Sequence, residues 1–235
     1  MFNLISVGCF VLMIGLSVLL QKCSKKELIM RIVSVLLFVW KFSYILYQNI
    51  IGIVSIPIEI STISYFIMFA TLIFRIKGMY CVSSLLGILA GVVFFGFYMV
   101  AGFTLQNVFT LKAYLTGCLF HGYLLVSGLY LFKNYKFDKK EQPKIWITTL
   151  AIICWSLVFY GFVGEGITFI YYIVKPEFLL VFKNMSLNAL VLIVYYCLLV
   201  SAYYGVIKGF FALNNKVKKT VAETYEVEIK TSCLY

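Results

Sequence analysis

The stretch LKAYLTGCLFHGYLLVSGLYLF, residues 111–132, decides how this chain is read. After Lys112 it carries no formal charge, and it holds the single histidine of the protein, His121, near its middle. A bilayer core is crossed by about 20 mostly apolar residues in a helix, and this run has that length. Titratable groups at such depth are costly and face a protein interior or a wet cavity. His121 is therefore both a fold marker and the first candidate for chemistry.

Working outward, six more runs of similar character appear at 2–20, 28–51, 56–74, 79–101, 145–164 and 187–207. Hydrophobic residues make up 63% of the 235 positions and charged ones 12%, a balance foreign to a water-soluble domain. Lipid cannot satisfy open backbone groups, and these runs are too long and continuous for alternating barrel strands. The fold class is thus all-α: a polytopic helical bundle of about seven transmembrane helices, one domain over residues 1–210, with a charged tail over 211–235. The first run has no basic residue before it and no clear small-residue cleavage site before Lys22, so it is read as a retained helix. The tail from Lys216 alternates Lys with Glu and is expected to be solvated and poorly ordered.

The formal charge of +11 invites a nucleic-acid reading until its distribution is examined. Basic residues gather at 22–31, 75–77 and 133–144 and after residue 207, while Lys112, Lys175 and Lys183 lie at the opposite ends of the runs. The excess marks the cytoplasmic side, which places the amino terminus outside and the carboxyl terminus inside a cell membrane. These residues are topogenic and attract anionic lipid heads at most; membrane lipids are the expected partners, not nucleic acid. The seven cysteines, at 9, 23, 81, 118, 154, 197 and 233, have no C-x-x-C spacing, so neither a metal site nor a disulfide framework is expected. No cofactor is implied.

Polar residues inside the runs define the candidate site. Lys41 lies within the second run and Glu59 near the start of the third, where they are placed to pair across two helices. Glu59 and Thr62 share one face of the third helix; Ser61 shares another with Ser64 and Tyr65. Gly87 and Gly91 form a G-x-x-x-G, with Gly96 further along, suited to close helix approach. Residues 165–183 form an apolar, aromatic connection too short to span, read as an interfacial anchor or a lid.

Three pieces resemble one family. Ile56-Pro57-Ile58-Glu59-Ile60-Ser61 is similar to a Leu-Pro-Leu-His-Leu-Cys-like helix start in YwaF-type integral membrane proteins. Phe120-His121-Gly122 resembles their mid-span histidine motif. The segment from Gly166 to Lys175-Pro176 resembles their Gly-x-Asn-Tyr-x-Tyr-Leu-x-x-Lys-Pro. Vertebrate relatives of that family include a transmembrane phospholipid acyltransferase with reactive cysteine and histidine, so the resemblance implies lipid acyl transfer or hydrolysis. Ser61 stands at the cysteine position, Glu59 at the preceding histidine and Thr168 at the asparagine.

Two functions follow as expectations. In the first, Ser61 is an acyl nucleophile and His121 its general base, with Cys118 as a rival thiol. Counting about 1.5 Å per residue from Arg75 and from Lys133 puts Ser61 and His121 about 21 and about 18 Å above the basic side. In the second, Lys41, Glu59 and His121, with Thr62, Thr168 and Lys175, line a path or cavity for a small solute or lipid. A scaffold without chemistry is the third alternative.

Overall fold

A computed structural model describes residues 2–53, 55–57, 59–105, 111–163 and 189–232. The described chain is helical and carries no strand. Seven helices follow one another: α1 (Phe2–Lys22), α2 (Lys26–Ile50), α3 (Ile60–Ile73), α4 (Tyr80–Leu105), α5 (Leu111–Asn134), α6 (Gln142–Val163) and α7 (Ala189–Ser232). Six are long and apolar enough to cross a membrane. Their outward faces are aliphatic, with Leu4, Leu36, Val100, Ile147 and Leu198 exposed, the reverse of a protein that meets water. The chain is a multi-pass membrane protein.

The third run is shorter as a helix than its apolar length. Ile53, residues 55–57 and Glu59 are not helical; Glu59 has extended backbone (φ −73°, ψ 140°) and α3 starts only at Ile60. Pro57 supplies no amide donor and biases the chain away from helix just before it. At 14 residues, α3 is about 21 Å long, short of the bilayer core of about 30 Å. Its approach is fastened on both sides. Asn49 donates to the Ser55 carbonyl at 2.9 Å and accepts from the Ser55 amide at 3.2 Å, around Gly52 at φ +83°, a value only glycine adopts without strain. The Trp155 indole of α6 donates to the Pro57 carbonyl at 2.8 Å.

At the centre lie α4 and α5, the most deeply buried of the apolar helices. Glycine sets their spacing. A Cβ on Gly87 would stand 2.6 Å from the Leu124 carbonyl oxygen, one on Gly91 2.6 Å from Leu125 Cβ, and one on Gly128 2.8 Å from the Ile88 amide. Ser84 donates to the Gly128 carbonyl at 2.8 Å across the same seam. In lipid, where apolar burial gives little net drive, close backbone approach and interhelical hydrogen bonds hold helices together. The G-x-x-x-G is thus a packing device, whereas Gly96 has open space beside it.

All the basic stretches meet at one end. Glu27 pairs with Arg75 at 2.8 Å, Lys144 donates to the Gly78 carbonyl at 3.4 Å, and Lys218 donates to the Lys133 carbonyl at 2.5 Å. Arg75 closes α3 with φ +55°, while Ile76 donates to the Thr71 carbonyl at 3.0 Å, the left-handed helix stop usually given to glycine. The last helix, α7, runs from Ala189 to Ser232, with Lys216, Lys219 and Thr220 exposed on it. Phe210 and Phe211 are buried. Asn214 accepts from the Phe137 amide at 3.0 Å and donates to the Phe132 carbonyl at 2.8 Å. No Gly or Pro follows Gly209 to interrupt the helix.

Candidate functional site

Away from the basic end, α2, α3 and α5 bring polar side chains together. α5 contributes His121, whose position is fixed from three sides. Its ring stacks on Phe94 of α4, centroids 3.9 Å apart and planes 10° from parallel. Its Nδ1 lies 2.9 Å from the Gly117 carbonyl one turn back. The Tyr65 hydroxyl of α3 lies 2.9 Å from Nδ1 and 3.2 Å from Nε2. A carbonyl oxygen only accepts, so Nδ1–H donates to Gly117, and the Tyr65 hydroxyl donates to Nε2. Both imidazole nitrogens are then engaged.

Glu59, just before α3, and Ser61 and Tyr65 from its first turns supply the next groups. The Ser61 hydroxyl donates to Glu59 Oε2 at 3.3 Å and lies within the electrostatic reach of the Tyr65 phenol. Ser61 and Tyr65 are four residues apart and share a face, so Glu59, Ser61, Tyr65 and His121 follow one another in a polar string whose hydrogen bonds join Ser61 to Glu59 and Tyr65 to His121. Tyr65 is its only nearly fully buried member, at 3% exposure.

α2 closes the site with Lys41. Its ammonium lies 5.2 Å from the Phe120 ring centroid and 5.8 Å from that of Tyr65, within the range of cation–π attraction. Trp40 and Tyr65 flank Phe120, at 5.7 and 5.3 Å between centroids. Lys41 and Glu59 lie in each other's field, yet the ion pairs among the described residues are Glu27–Arg75 and Glu141–Lys144. The two opposite charges face one another without closing into contact.

Lys41, Glu59, Ser61 and His121 are thus brought into one cluster. Thr62 is half-buried and joins none of these contacts among the described residues. Thr168 and Lys175, with the whole 165–183 connection, lie outside the described residues. Ser61 and His121 share no hydrogen bond; Tyr65 stands between them. Cys118 is buried elsewhere, on the α1–α4–α5 seam with Tyr98, Tyr114 and Cys9, where Ser6 hydrogen-bonds Tyr114. Among the described residues no group of three His, Cys, Asp or Glu is placed to hold a metal. Sequence reasoning missed Tyr65 as a site residue, although its place on the Ser61 face was the available signal.

No family model, curated protein or solved structure matches the chain.

Proposed function

We propose that this membrane protein binds a small zwitterionic solute or lipid headgroup, and passes it or a proton inward, at the cluster of Lys41, Glu59, Ser61, Tyr65 and His121. The observation that supports this reading is the unclosed pair of opposite charges, Lys41 and Glu59, held beside a string of exchangeable hydroxyls that ends on an imidazole. A zwitterion places its anionic end on Lys41 and its cationic end on Glu59, each charge answering one that is costly in lipid. The Ser61 and Tyr65 hydroxyls and the neutral imidazole each donate and accept, and the Glu59 carboxylate accepts, so the group supplies both ends of a proton path. The gathering of basic residues at the other end supports a cytoplasmic assignment for that end, which puts this cluster in the outer half of a cell membrane. Reporter fusions at the two termini test the orientation.

The main test uses purified protein in proteoliposomes, with glycine, phosphoethanolamine and a short-chain phosphatidylethanolamine as probes. Saturable binding or uptake of one of them, weakened about tenfold or more by Lys41→Met and by Glu59→Gln, is expected, each lost charge contact being worth about 1.4 kcal/mol or more. Binding indifferent to both variants refutes the reading. Lipid acyl transfer predicts something else: phospholipid turnover abolished by Ser61→Ala and His121→Ala alike. For that chemistry the Ser61 hydroxyl would have to leave Glu59 and the imidazole to leave Tyr65.

A further inference from the structure

At the basic end the surface holds a second feature, independent of the cluster above. A cavity of about 300 Å³ opens between α2 and α3, lined by Leu28, Arg31, Ile32, Val35, Leu36 and Ile73. Five of these six side chains are aliphatic, and Leu28, Ile32, Val35 and Leu36 are exposed on the outward face of α2. The sixth is Arg31, whose Nε is buried and has no hydrogen-bond partner. The carboxylate nearest in sequence, Glu27 one turn earlier, is held by Arg75 at 2.8 Å. Arg31 enters no ion pair among the described residues.

A buried guanidinium N–H without an acceptor costs on the order of 1–3 kcal/mol, so this site selects for an acceptor that arrives from outside the chain. Arg31 lies five residues into α2, about 7.5 Å from its start, at a depth where arginine meets lipid phosphate. Lys22, Lys25 and Lys26 stand just beyond it, adding positive potential that favours a net negative head. Water-borne phosphate would leave the aliphatic wall unused, whereas an acyl chain fills it. We propose that this groove is a specific site for one anionic phospholipid, its phosphate on the Arg31 guanidinium and an acyl chain along Leu28, Ile32, Val35, Leu36 and Ile73.

The experiment uses the full chain in nanodiscs of phosphatidylcholine and measures displacement of a tail-labelled phosphatidylglycerol. Expected is one saturable site that prefers phosphatidylglycerol over phosphatidylcholine. Arg31→Gln should lower phosphatidylglycerol affinity about tenfold, the scale of one charge-assisted hydrogen bond. Arg31→Lys should keep part of the preference, lacking the planar fork. Ile32→Trp, which fills the groove and leaves the charge, should block the labelled lipid. Lys25→Gln should change affinity less than twofold. The proposal is overturned if Arg31→Gln keeps the wild-type preference, if Ile32→Trp binds the lipid as well as wild type, or if inorganic phosphate displaces the label as effectively as phosphatidylglycerol. Should Arg31→Gln fail to fold, Arg31→Lys and Ile32→Trp still decide the matter.

Discussion

Replacing Gly87 by alanine should part the two central helices. The added methyl would stand 2.6 Å from the Leu124 carbonyl oxygen and 2.7 Å from Met68 Cε, where ordinary contact begins at 3.4 Å. Methionine can swing aside, but the carbonyl belongs to the α5 backbone, so α4 and α5 must separate by about 0.8 Å at that point. Overpacking of this kind costs roughly 2–3 kcal/mol. For a chain of this size it lowers the melting temperature by roughly 4–12 °C. The separation also reaches the site, because Gly91, one turn on, touches the His121 carbonyl at a notional 3.1 Å. Gly96→Ala is the control on the same helix: nothing lies within 4 Å of its notional Cβ, and alanine is the better helix former by up to about 1 kcal/mol. Thermal unfolding in detergent, followed by tryptophan fluorescence, should rank Gly96→Ala at or above wild type and Gly87→Ala well below. Equal melting of the two variants would refute the claim that backbone contact sets the α4–α5 spacing.

Three further outcomes are expected. Tyr65→Phe removes the hydroxyl from His121 Nε2 and should cost about 1–3 kcal/mol in thermal unfolding, with a change in the imidazole nitrogen shifts by NMR; unchanged shifts would dissolve the Tyr65–His121 bond. Arg75→Gly relieves a left-handed residue at φ +55°, worth about 1 kcal/mol, and loses an ion pair half exposed on both sides that is worth about 0.5 kcal/mol. The melting temperature should therefore hold or rise slightly, and a large fall would show that the pair matters more than its exposure allows. In a double-mutant cycle, Lys41→Met and Glu59→Gln should couple by about 0.5–1 kcal/mol, because the charges interact across a gap; coupling several times larger would mean that they close in the membrane.

The helix order was legible because apolar length is a direct imprint of bilayer thickness. The shortness of α3 was half legible: Pro57 was visible, but the segment before Glu59 is also held by the Asn49 clamp, six residues from its partner Ser55, and by the Trp155 bond to Pro57, a contact between segments distant in sequence. The same limit governs the site. Counting helical rise separates Ser61 from His121 by about 3 Å from the basic side and by about 8 Å from Pro57 and Lys112, and rise alone carries no information on azimuth or side-chain reach. Tyr65, one turn nearer the basic end, reaches the imidazole first. Gly87 and Gly91 were recognisable as packing residues, while their partner seam on Leu124, Leu125 and Gly128 was not. Lys216, Lys219 and Thr220 at the start of the charged tail are exposed, while composition does not register that just before it Phe210, Phe211 and Asn214 carry α7 onto the α5–α6 connection.

That long final helix behaves as a lever gripped at two heights. Higher up, Tyr203 hydrogen-bonds Thr149 at 2.6 Å and meets Trp146 edge to face at 5.1 Å. Lower down, Phe210 packs on Phe132 and Phe137, and Asn214 ties the connection that follows α5. Two grips on one rod remove its freedom to spin or slide alone. Torque applied to the part of α7 beyond Thr220 would be felt at α6, and through the Trp155–Pro57 bond at the entrance to α3, where Glu59 and Ser61 begin the polar string.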